Sequence, residues 1–224
     1  MKGTGEYLIK TSGIWGKSIK NKVSFILLFV FLSFNLTAQK KSENMNDNMA
    51  LATFGNGCFW CTEAIFQQLR GVENVVPGYA GGTTKNPTYG EVVTGFTGHA
   101  EVIQISYNPK VISYRELLDV FFYTHDPTTL NRQGNDIGTQ YRSAIYYHDK
   151  DQKNDARTII KQLELEKVYE DKIVTEITRL DKFYLAENYH NDYYNNNKND
   201  GYCRAIINPK LDKFVKKYKS KLKQ

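Results

Sequence analysis

The chain has 224 residues, with 30 Lys and Arg against 24 Asp and Glu, and its formal net charge is +6. Hydrophobic residues at 41% and charged residues at 24% are typical of a globular domain, not of a disordered or fibrous chain. Three cysteines are too few for a disulfide-stabilised scaffold, and an odd number leaves at least one thiol unpaired in a monomer. The excess positive charge lies in residues 1–38 and 210–224 and the middle is mildly acidic, so we expect no nucleic-acid partner.

The N-terminal residues have the pattern of a secretory signal. A basic flank precedes an apolar run from Val23 to Phe34, and the small residue Ala38 follows. The run is shorter than the roughly 20 apolar residues that span a membrane. We therefore predict a leader with a secretory signal over residues 1–38, a linker over 39–50 and a folded domain over 51–224. The protein is expected to be exported, periplasmic or secreted; the alternative is an inner-membrane anchor formed by the uncleaved segment.

Helices and strands alternate along the folded domain, which the spacing of its apolar residues indicates. The predicted helices cover residues 61–70, begin at the capping box of Ser113, cover 149–166, form a turn or two within 186–194, and begin at Pro209. The predicted strands cover residues 102–107, 143–147 and 173–177. This order predicts one α/β domain of the two-layer α+β kind, in which helices pack on a mixed sheet.

Cys58 follows a glycine turn and precedes the first predicted helix. The free N–H groups and the dipole of a helix start stabilise a thiolate, so we expect a lowered thiol pKa. The alternative is that Cys58 is a small buried apolar residue. Phe59 and Trp60 follow directly and indicate an apolar pocket for a methyl or thioether-like group, although ordinary core packing explains them too.

Cys61 forms a Cys-x-x-Cys pair with Cys58. Such a pair is a redox couple, a structural disulfide or half of a zinc site. Zinc requires two more thiol or imidazole ligands, and no second pair of this kind follows. We therefore expect no metal. A general thiol–disulfide oxidoreductase and a zinc-binding module are the alternatives that the pair itself leaves open.

Glu101 has the same strand parity as Ile103 and Ile105, so its side chain should point toward the core. A desolvated carboxyl has a raised pKa and can donate a proton at neutral pH; the alternative is an exposed Glu at a strand end. Residue His99 has the opposite parity and is expected to be structural. The long polar stretch 125–143 is typical of a functional loop.

Within that loop, Asp136 and Tyr141 are the best candidates for hydrogen bonding to a ligand. His125 and Asp126 are instead interpreted as a capping pair. Tyr89 supplies a further aromatic hydroxyl at the end of a glycine-rich stretch, which lacks the Lys-Ser/Thr ending of a phosphate loop.

A series of short motifs runs in order through the folded domain. They are Gly57-Cys-Phe-Trp60, Gly78-Tyr-Ala-Gly-Gly82, Asn86-Pro-Thr-Tyr89, Thr97-Gly-His-Ala-Glu101, His125-Asp-Pro-Thr-Thr129, Asn131-Arg-Gln-Gly-Asn-Asp136, Gly138-Thr-Gln-Tyr-Arg-Ser143, Tyr189-His190 and Gly201-Tyr-Cys203. In this order they resemble the A-type peptide methionine sulfoxide reductases across residues 51–203. The resemblance implies the fold of that family and makes residues 51–224 a catalytic domain.

The resemblance also implies a reaction, which is reduction of the S-epimer of methionine sulfoxide, free or in oxidised proteins, in protein repair. It implies no bound cofactor and a thioredoxin-type external dithiol as reductant; we expect a monomer. The implied roles are attack on the sulfoxide sulfur by Cys58, protonation of the oxygen by Glu101 with help from Tyr89 and Tyr141, binding of the methyl group by Phe59 and Trp60, organisation of the site by Asp136 and support from His190.

The sulfenic acid formed on Cys58 then requires a second thiol. The family commonly has Gly where this chain has Cys61, and its late Gly-Tyr-Cys motif is a frequent source of the resolving thiol. Cys203 lies in a polar segment that could swing toward Cys58, so it is the favoured resolving residue. Cys61 remains an alternative, either by direct pairing or by taking over the disulfide.

Overall fold

The computed structural model describes residues 49–224. The predicted leader and residues 39–48 of the predicted linker lie outside the described residues. Ala50, at the end of that linker, belongs to the first strand. Within residues 49–224, no helix is long and apolar enough to cross a membrane.

Eight strands and six α-helices follow one another along the described residues. The strands are β1 Ala50–Asn56, β2 Val72–Ala80, β3 Ala100–Tyr107, β4 Arg132–Gln133, β5 Asp136–Ile137, β6 Ser143–Tyr147, β7 Glu176–Arg179 and β8 Phe183–Leu185. The α-helices are α1 Phe59–Phe66, α2 Tyr89–Val92, α3 Tyr114–Tyr123, α4 Lys150–Leu165, α5 Tyr193–Asn196 and α6 Asn208–Tyr218.

Six of the strands form one sheet in the order β7-β6-β1-β3-β2-β8. The pair β6–β7 is parallel and the other pairs are antiparallel. Strands β4 and β5 form a separate short hairpin within the long polar loop. The prediction of a mixed sheet packed with helices is confirmed.

The antiparallel pairing brings the ends of several strands together at one end of the sheet. Strands β1 and β2 end where β3 and β6 begin, and Asn56 pairs with Ser143 in this region. Continuing the β1–β3 register by two residues from Phe54 opposite Ile103 brings Glu101 opposite Asn56. The polar segments that the sequence analysis identifies therefore meet at this end of the sheet.

Apolar residues of both layers form the core between the sheet and its helices. Phe54 of β1 lies at its centre, with ring centroids 5.8 Å from Phe66, 5.8 Å from Tyr114 and 5.1 Å from Phe121. Aromatic pairs at these distances add to the free energy of burial. Helices α1 and α3 are thus fixed against the strand that leads to Cys58.

Several predicted elements are confirmed and one is displaced. Ser113 and Glu116 form the predicted capping box of α3, and α4 occupies the predicted range with Asp149 as its N-cap. The predicted strand over 173–177 is wrong in its first half. Ile173 is buried in the core, and the next N–H donates to Pro127 instead of a strand, so pairing begins only at β7.

Gly57 forms the tight turn between β1 and Cys58. Its φ is +94°, in the region that favours glycine. A Cβ at this position would lie 2.7 Å from Cβ and Cγ of Gln133. The turn therefore depends on glycine for both its backbone conformation and its close contact with the polar loop.

We expect Gly57→Ala to lower the free energy of unfolding by about 2–4 kcal/mol, from backbone strain and crowding together. Gly134 offers a matched control, because its φ is +61° and a Cβ there meets nothing within 4 Å. Gly134→Ala should cost only about 1 kcal/mol of strain. Urea unfolding measures both losses, and equal losses would contradict the crowding at Gly57.

Candidate active site

A cavity of about 200 Å³ lies at the end of the sheet where the polar segments meet. Seven of its eight lining residues are ones that the sequence predicts for the site. The lining residues are Cys58, Phe59, Trp60, Tyr89, Glu101, Asp136, Tyr141 and Tyr202. Three larger clefts, of about 960, 600 and 290 Å³, contain none of the predicted site residues.

The carboxyl group of Glu101 lies at the N-terminus of α1. Its Oε2 accepts a hydrogen bond of 3.0 Å from the Phe59 N–H, and the residue is 1% exposed. Burial, reinforced by Cys58, raises the pKa of Glu101 well above its usual range, although the Phe59 hydrogen bond opposes the rise. The burial and raised pKa predicted from strand parity are confirmed. The shift favours the protonated carboxyl of Glu101, which can donate its proton inside the cavity.

Cys58 is the N-cap residue of α1 and is 8% exposed. Burial, followed by the neighbouring Cys61 thiol, raises the pKa of Cys58 well above its usual value. The lowered pKa expected from a helix start is therefore wrong for the resting site. Helix α1 has only eight residues, and the loss of hydration outweighs the effect of its dipole. Cys58 rests as a protonated thiol.

All three cysteines are free thiols and share one buried cluster with Ala64 and Ile207. A hydrogen bond with Cys58 lowers the pKa of Cys61, whereas burial raises the pKa of Cys203. Cys203 opens the π-helical turn Cys203–Ile207 and is fully buried. The two candidate resolving thiols thus pack on the same side of α1 as Cys58, outside the cavity lining.

Two tyrosine hydroxyls complete the polar side of the cavity. Burial, followed by the charge of Glu101, raises the pKa of Tyr89 to about 12. The same two causes raise the pKa of Tyr141. Both hydroxyls stay protonated over the physiological range and can donate hydrogen bonds to an oxygen atom in the cavity.

His190 lies behind the aromatic wall of the cavity. Its Nδ1 accepts a hydrogen bond of 3.0 Å from Trp60 Nε1, so the proton of the neutral ring is on Nε2. That nitrogen is 3.9 Å from Oε2 of Glu187. Burial lowers the pKa of His190. Its neutral ring packs 4.8 Å from the Phe59 ring, which agrees with the predicted supporting position.

Two further histidines, His99 and His125, form hydrogen bonds with the main chain. His99 accepts from the Gly82 N–H and contacts the Thr84 carbonyl at 2.8 Å, as expected of a structural residue. The ring of His125 is 2.6 Å from the Phe121 carbonyl near the end of α3, and burial lowers its pKa to about 4. Among residues 49–224, no group of three or more His, Cys, Asp or Glu side chains is arranged to hold a metal ion.

Comparison with known proteins identifies the family that has this arrangement. The family model described as peptide methionine sulfoxide reductase matches residues 50–223. The chain belongs to the peptide methionine sulfoxide reductase family. The peptide methionine sulfoxide reductase MsrA of Saccharolobus solfataricus is 53% identical over 175 residues, which are 78% of this chain and 98% of that protein. The protein of the same name from Deinococcus radiodurans is 50% identical over 191 residues, 84% of this chain and 93% of its own length.

Solved structures of the family share the fold. Reduced Mxr1 from Saccharomyces cerevisiae is 38% identical, with a TM-score of 0.64 over 70% of this chain and 90% of that one. Methionine sulfoxide reductase A of Corynebacterium diphtheriae is 37% identical, with a TM-score of 0.65 over 67% of this chain and 76% of that one. The fold and enzyme class that the sequence motifs imply are therefore confirmed.

Tyr202 is a lining residue of this methionine sulfoxide reductase that the sequence prediction missed. Its hydroxyl donates a hydrogen bond of 2.8 Å to Oδ2 of Asp136 and lies 3.9 Å from Cys61 Sγ. The ring meets Trp60 edge-on, with centroids 5.9 Å apart. The Gly201-Tyr-Cys203 motif contains Tyr202, but that motif draws attention to its cysteine.

The sequence analysis does not predict Glu187 either. This residue holds the main chain of Tyr89 through a hydrogen bond. Its Oε1 accepts from the Tyr89 N–H at 2.7 Å, and its Oε2 accepts from the Tyr79 hydroxyl at 2.8 Å. Burial opposes ionisation, but these hydrogen bonds lower the pKa of Glu187. The only sequence signal for this residue is its position just before the Tyr189-His190 motif.

We expect Tyr202→Phe to move the alkylation of Cys61 to higher pH. Hydrogen bonding with Cys58 is the main cause of the lowered pKa of Cys61, and the Tyr202 hydroxyl adds to it. Removing that hydroxyl therefore leaves less Cys61 thiolate at a given pH. Iodoacetamide labelling followed by peptide mass spectrometry measures the profile for each cysteine.

Tyr194→Phe is the matched control for this experiment, because the Tyr194 hydroxyl bonds to Asn208 at 2.9 Å. It should leave the profile of Cys61 unchanged. An unchanged profile in Tyr202→Phe would contradict the interaction of its hydroxyl with the thiol.

Proposed function

We propose that this chain reduces the S-epimer of methionine sulfoxide, free or in oxidised proteins, through the thiol of Cys58. The proposal rests on one observation, the buried carboxyl of Glu101 at the start of α1, which lines the same small cavity as that thiol. A sulfoxide oxygen is a poor leaving group until it is protonated, so this chemistry requires an acid next to the nucleophile. A general thiol–disulfide oxidoreductase has no such requirement.

The cavity has an apolar wall and a polar wall. The rings of Phe59 and Trp60 hold the methyl group of the substrate, and the sulfoxide oxygen faces Glu101. The hydroxyls of Tyr89 and Tyr141 donate hydrogen bonds to the same oxygen. Asp136 orients this side of the site through its hydrogen bond with Tyr202.

The first step transfers oxygen from substrate to enzyme. The sulfur of Cys58 attacks the sulfoxide sulfur while Glu101 gives its proton to the oxygen. The new sulfur–sulfur bond and the S–O bond of the substrate then break as the oxygen passes to Cys58, so the substrate leaves as the thioether methionine and Cys58 becomes a sulfenic acid. Cys58 supplies the two electrons that reduce the sulfoxide, and the Cys58 thiol proton restores Glu101.

The second step forms a disulfide and releases water, and we favour Cys203 as the attacking thiol. Cys203 already packs in the cluster that contains Cys58. Cys61 lies in the first turn of α1 and shares a hydrogen bond with the N-cap Cys58, so direct Cys58–Cys61 pairing is the alternative. A thioredoxin-type external dithiol then restores the thiols.

Single turnover with each epimer tests the proposal. We expect the S-epimer to be reduced with loss of a pair of thiols and formation of a Cys58–Cys203 disulfide, and Cys58→Ser to be inactive with dithiothreitol. The R-epimer should remain unchanged, because exchanging its substituents turns the oxygen away from Glu101.

Full sulfoxide reduction by Cys58→Ser would refute the nucleophile. A Cys58–Cys61 bond, with no Cys58–Cys203 species by mass spectrometry, would refute only the choice of resolving thiol. Export of the protein and its monomeric state stay predictions from the sequence.

Glu101→Gln should slow the sulfoxide step by about 100-fold or more, the usual effect of a general acid. Burial raises the pKa of Glu101, so its acid form persists to higher pH than in an ordinary carboxyl and is lost as the pH rises through the raised pKa. The rate of the unmodified chain should fall along this alkaline limb, and Glu101→Gln should lack the limb.

Rapid-quench kinetics across pH measures both effects. Glu73→Gln, an exposed carboxyl on β2, is the control and should behave like the unmodified chain. A Glu101→Gln variant with an unchanged alkaline limb would remove Glu101 as the acid.

A further inference from the structure

Glu63 is a buried carboxyl with no part in the proposed chemistry. It lies on α1, one turn after Trp60, and is 3% exposed. Its Oε1 accepts a hydrogen bond of 2.9 Å from the Asp192 N–H, while its Oε2 has no hydrogen-bond partner among residues 49–224. Burial raises the pKa of Glu63 to about 7. Such a group opposes folding unless its contacts compensate, so its position calls for an explanation.

Contacts join four residues in a closed series, which consists of Trp60, Glu63, Asp192 and Tyr193. Trp60 and Glu63 are neighbours on one face of α1, three residues apart. Glu63 holds the backbone of Asp192, the residue before α5. The next residue, Tyr193, stacks on Trp60 with ring centroids 3.7 Å apart and an interplanar angle of 6°. Each member of the series therefore constrains the next.

The backbone of Asp192 needs this restraint. Its φ is +53° and its ψ is 35°, a left-handed conformation that is uncommon for residues other than glycine. The Asp192 side chain is tied to the same helix, since Oδ1 accepts from Gln67 Nε2 at 3.3 Å. Helix α1 thus holds both the main chain and the side chain of Asp192.

We propose that Glu63 is a positioning residue that fixes the orientation of Trp60 through Asp192 and Tyr193. Tyr193 packs on one face of the indole, and His190 accepts its N–H. With both restraints in place, Trp60 presents a fixed wall to the methyl group of the substrate. The inference rests on the proposed function, since the wall matters only if a sulfoxide occupies the cavity.

Substitutions in the full chain test the role of Glu63. The sequence contains two tryptophans, so a Trp15→Phe background leaves Trp60 as the only source of indole fluorescence. In that background we expect Glu63→Ala to shift Trp60 emission to longer wavelength. It should also raise KM for N-acetylmethionine S-sulfoxide about tenfold, the effect of one lost buried hydrogen bond, with little change in kcat.

Conservative variants separate positioning from folding. Glu63→Gln keeps an oxygen acceptor at the same reach and should restore both readouts, whereas Glu63→Asp is too short and should not. Gln68→Ala is the matched control near the same helix end, because Gln68 Nε2 donates to the Ala64 carbonyl of α1 and to no other partner among residues 49–224.

Tyr193→Ala removes the stacking partner from a surface helix, so it keeps the proposal testable even if Glu63→Ala does not fold. It should reproduce the changes in emission and KM. Unchanged KM and emission in Tyr193→Ala, or in folded Glu63→Ala, would overturn the inference, as would a Glu63→Gln variant as impaired as Glu63→Ala. Turnover of the unmodified chain with dithiothreitol separately tests the proposed function, whose failure would appear there first.

Discussion

The hydrogen bond from the Phe59 N–H to Glu101 joins the parts of the molecule on which the site depends. It connects the start of β3 to the first turn of α1, and Cys58 lies directly before that turn. One carboxyl oxygen thereby satisfies a free N–H of the helix end, which would otherwise be buried without a partner. The same contact holds the acid against the nucleophile, so the fold and the chemistry share one interaction.

Residues 187–202, which lie far from α1 in sequence, contribute Tyr202 to the cavity lining and support several other residues of the site. Hydrogen bonds attach this segment to the rest of the molecule at four residues. They join Glu187 to Tyr79 and Tyr89, His190 to Trp60, Asp192 to Glu63, and Tyr202 to Asp136. The cavity is therefore closed by a late segment that folds back over an early helix, and the geometry of its aromatic wall depends on long-range contacts.

The sequence was sufficient to predict the features that local pattern controls. The capping box of α3, the span of α4 and the inward direction of Glu101 follow from residue spacing alone. Tyr202 and Glu187 could not be found in this way, because each acts through a partner distant in sequence. The strand over 173–177 was misplaced because burial of Ile173 imitates the pattern of a strand.

The pKa of Cys58 was predicted in the wrong direction for a related reason. A helix start is visible in the sequence, and its dipole favours the thiolate. The degree of burial is not visible there, since it arises when the polar loop and the late segment cover the thiol. Two opposing effects act on the same sulfur, and only the folded structure shows that desolvation is the larger.

The protonation of the Cys58 thiol also affects which oxidants react with it. Peroxides react with thiolates much faster than with thiols, and each further oxidation beyond the sulfenic acid is harder to reverse. A protonated, buried sulfur is therefore a poor target for hydrogen peroxide. In the proposed mechanism a sulfoxide instead brings its own oxygen to the carboxyl of Glu101, so the sulfur of Cys58 reacts with the substrate that is bound beside that acid.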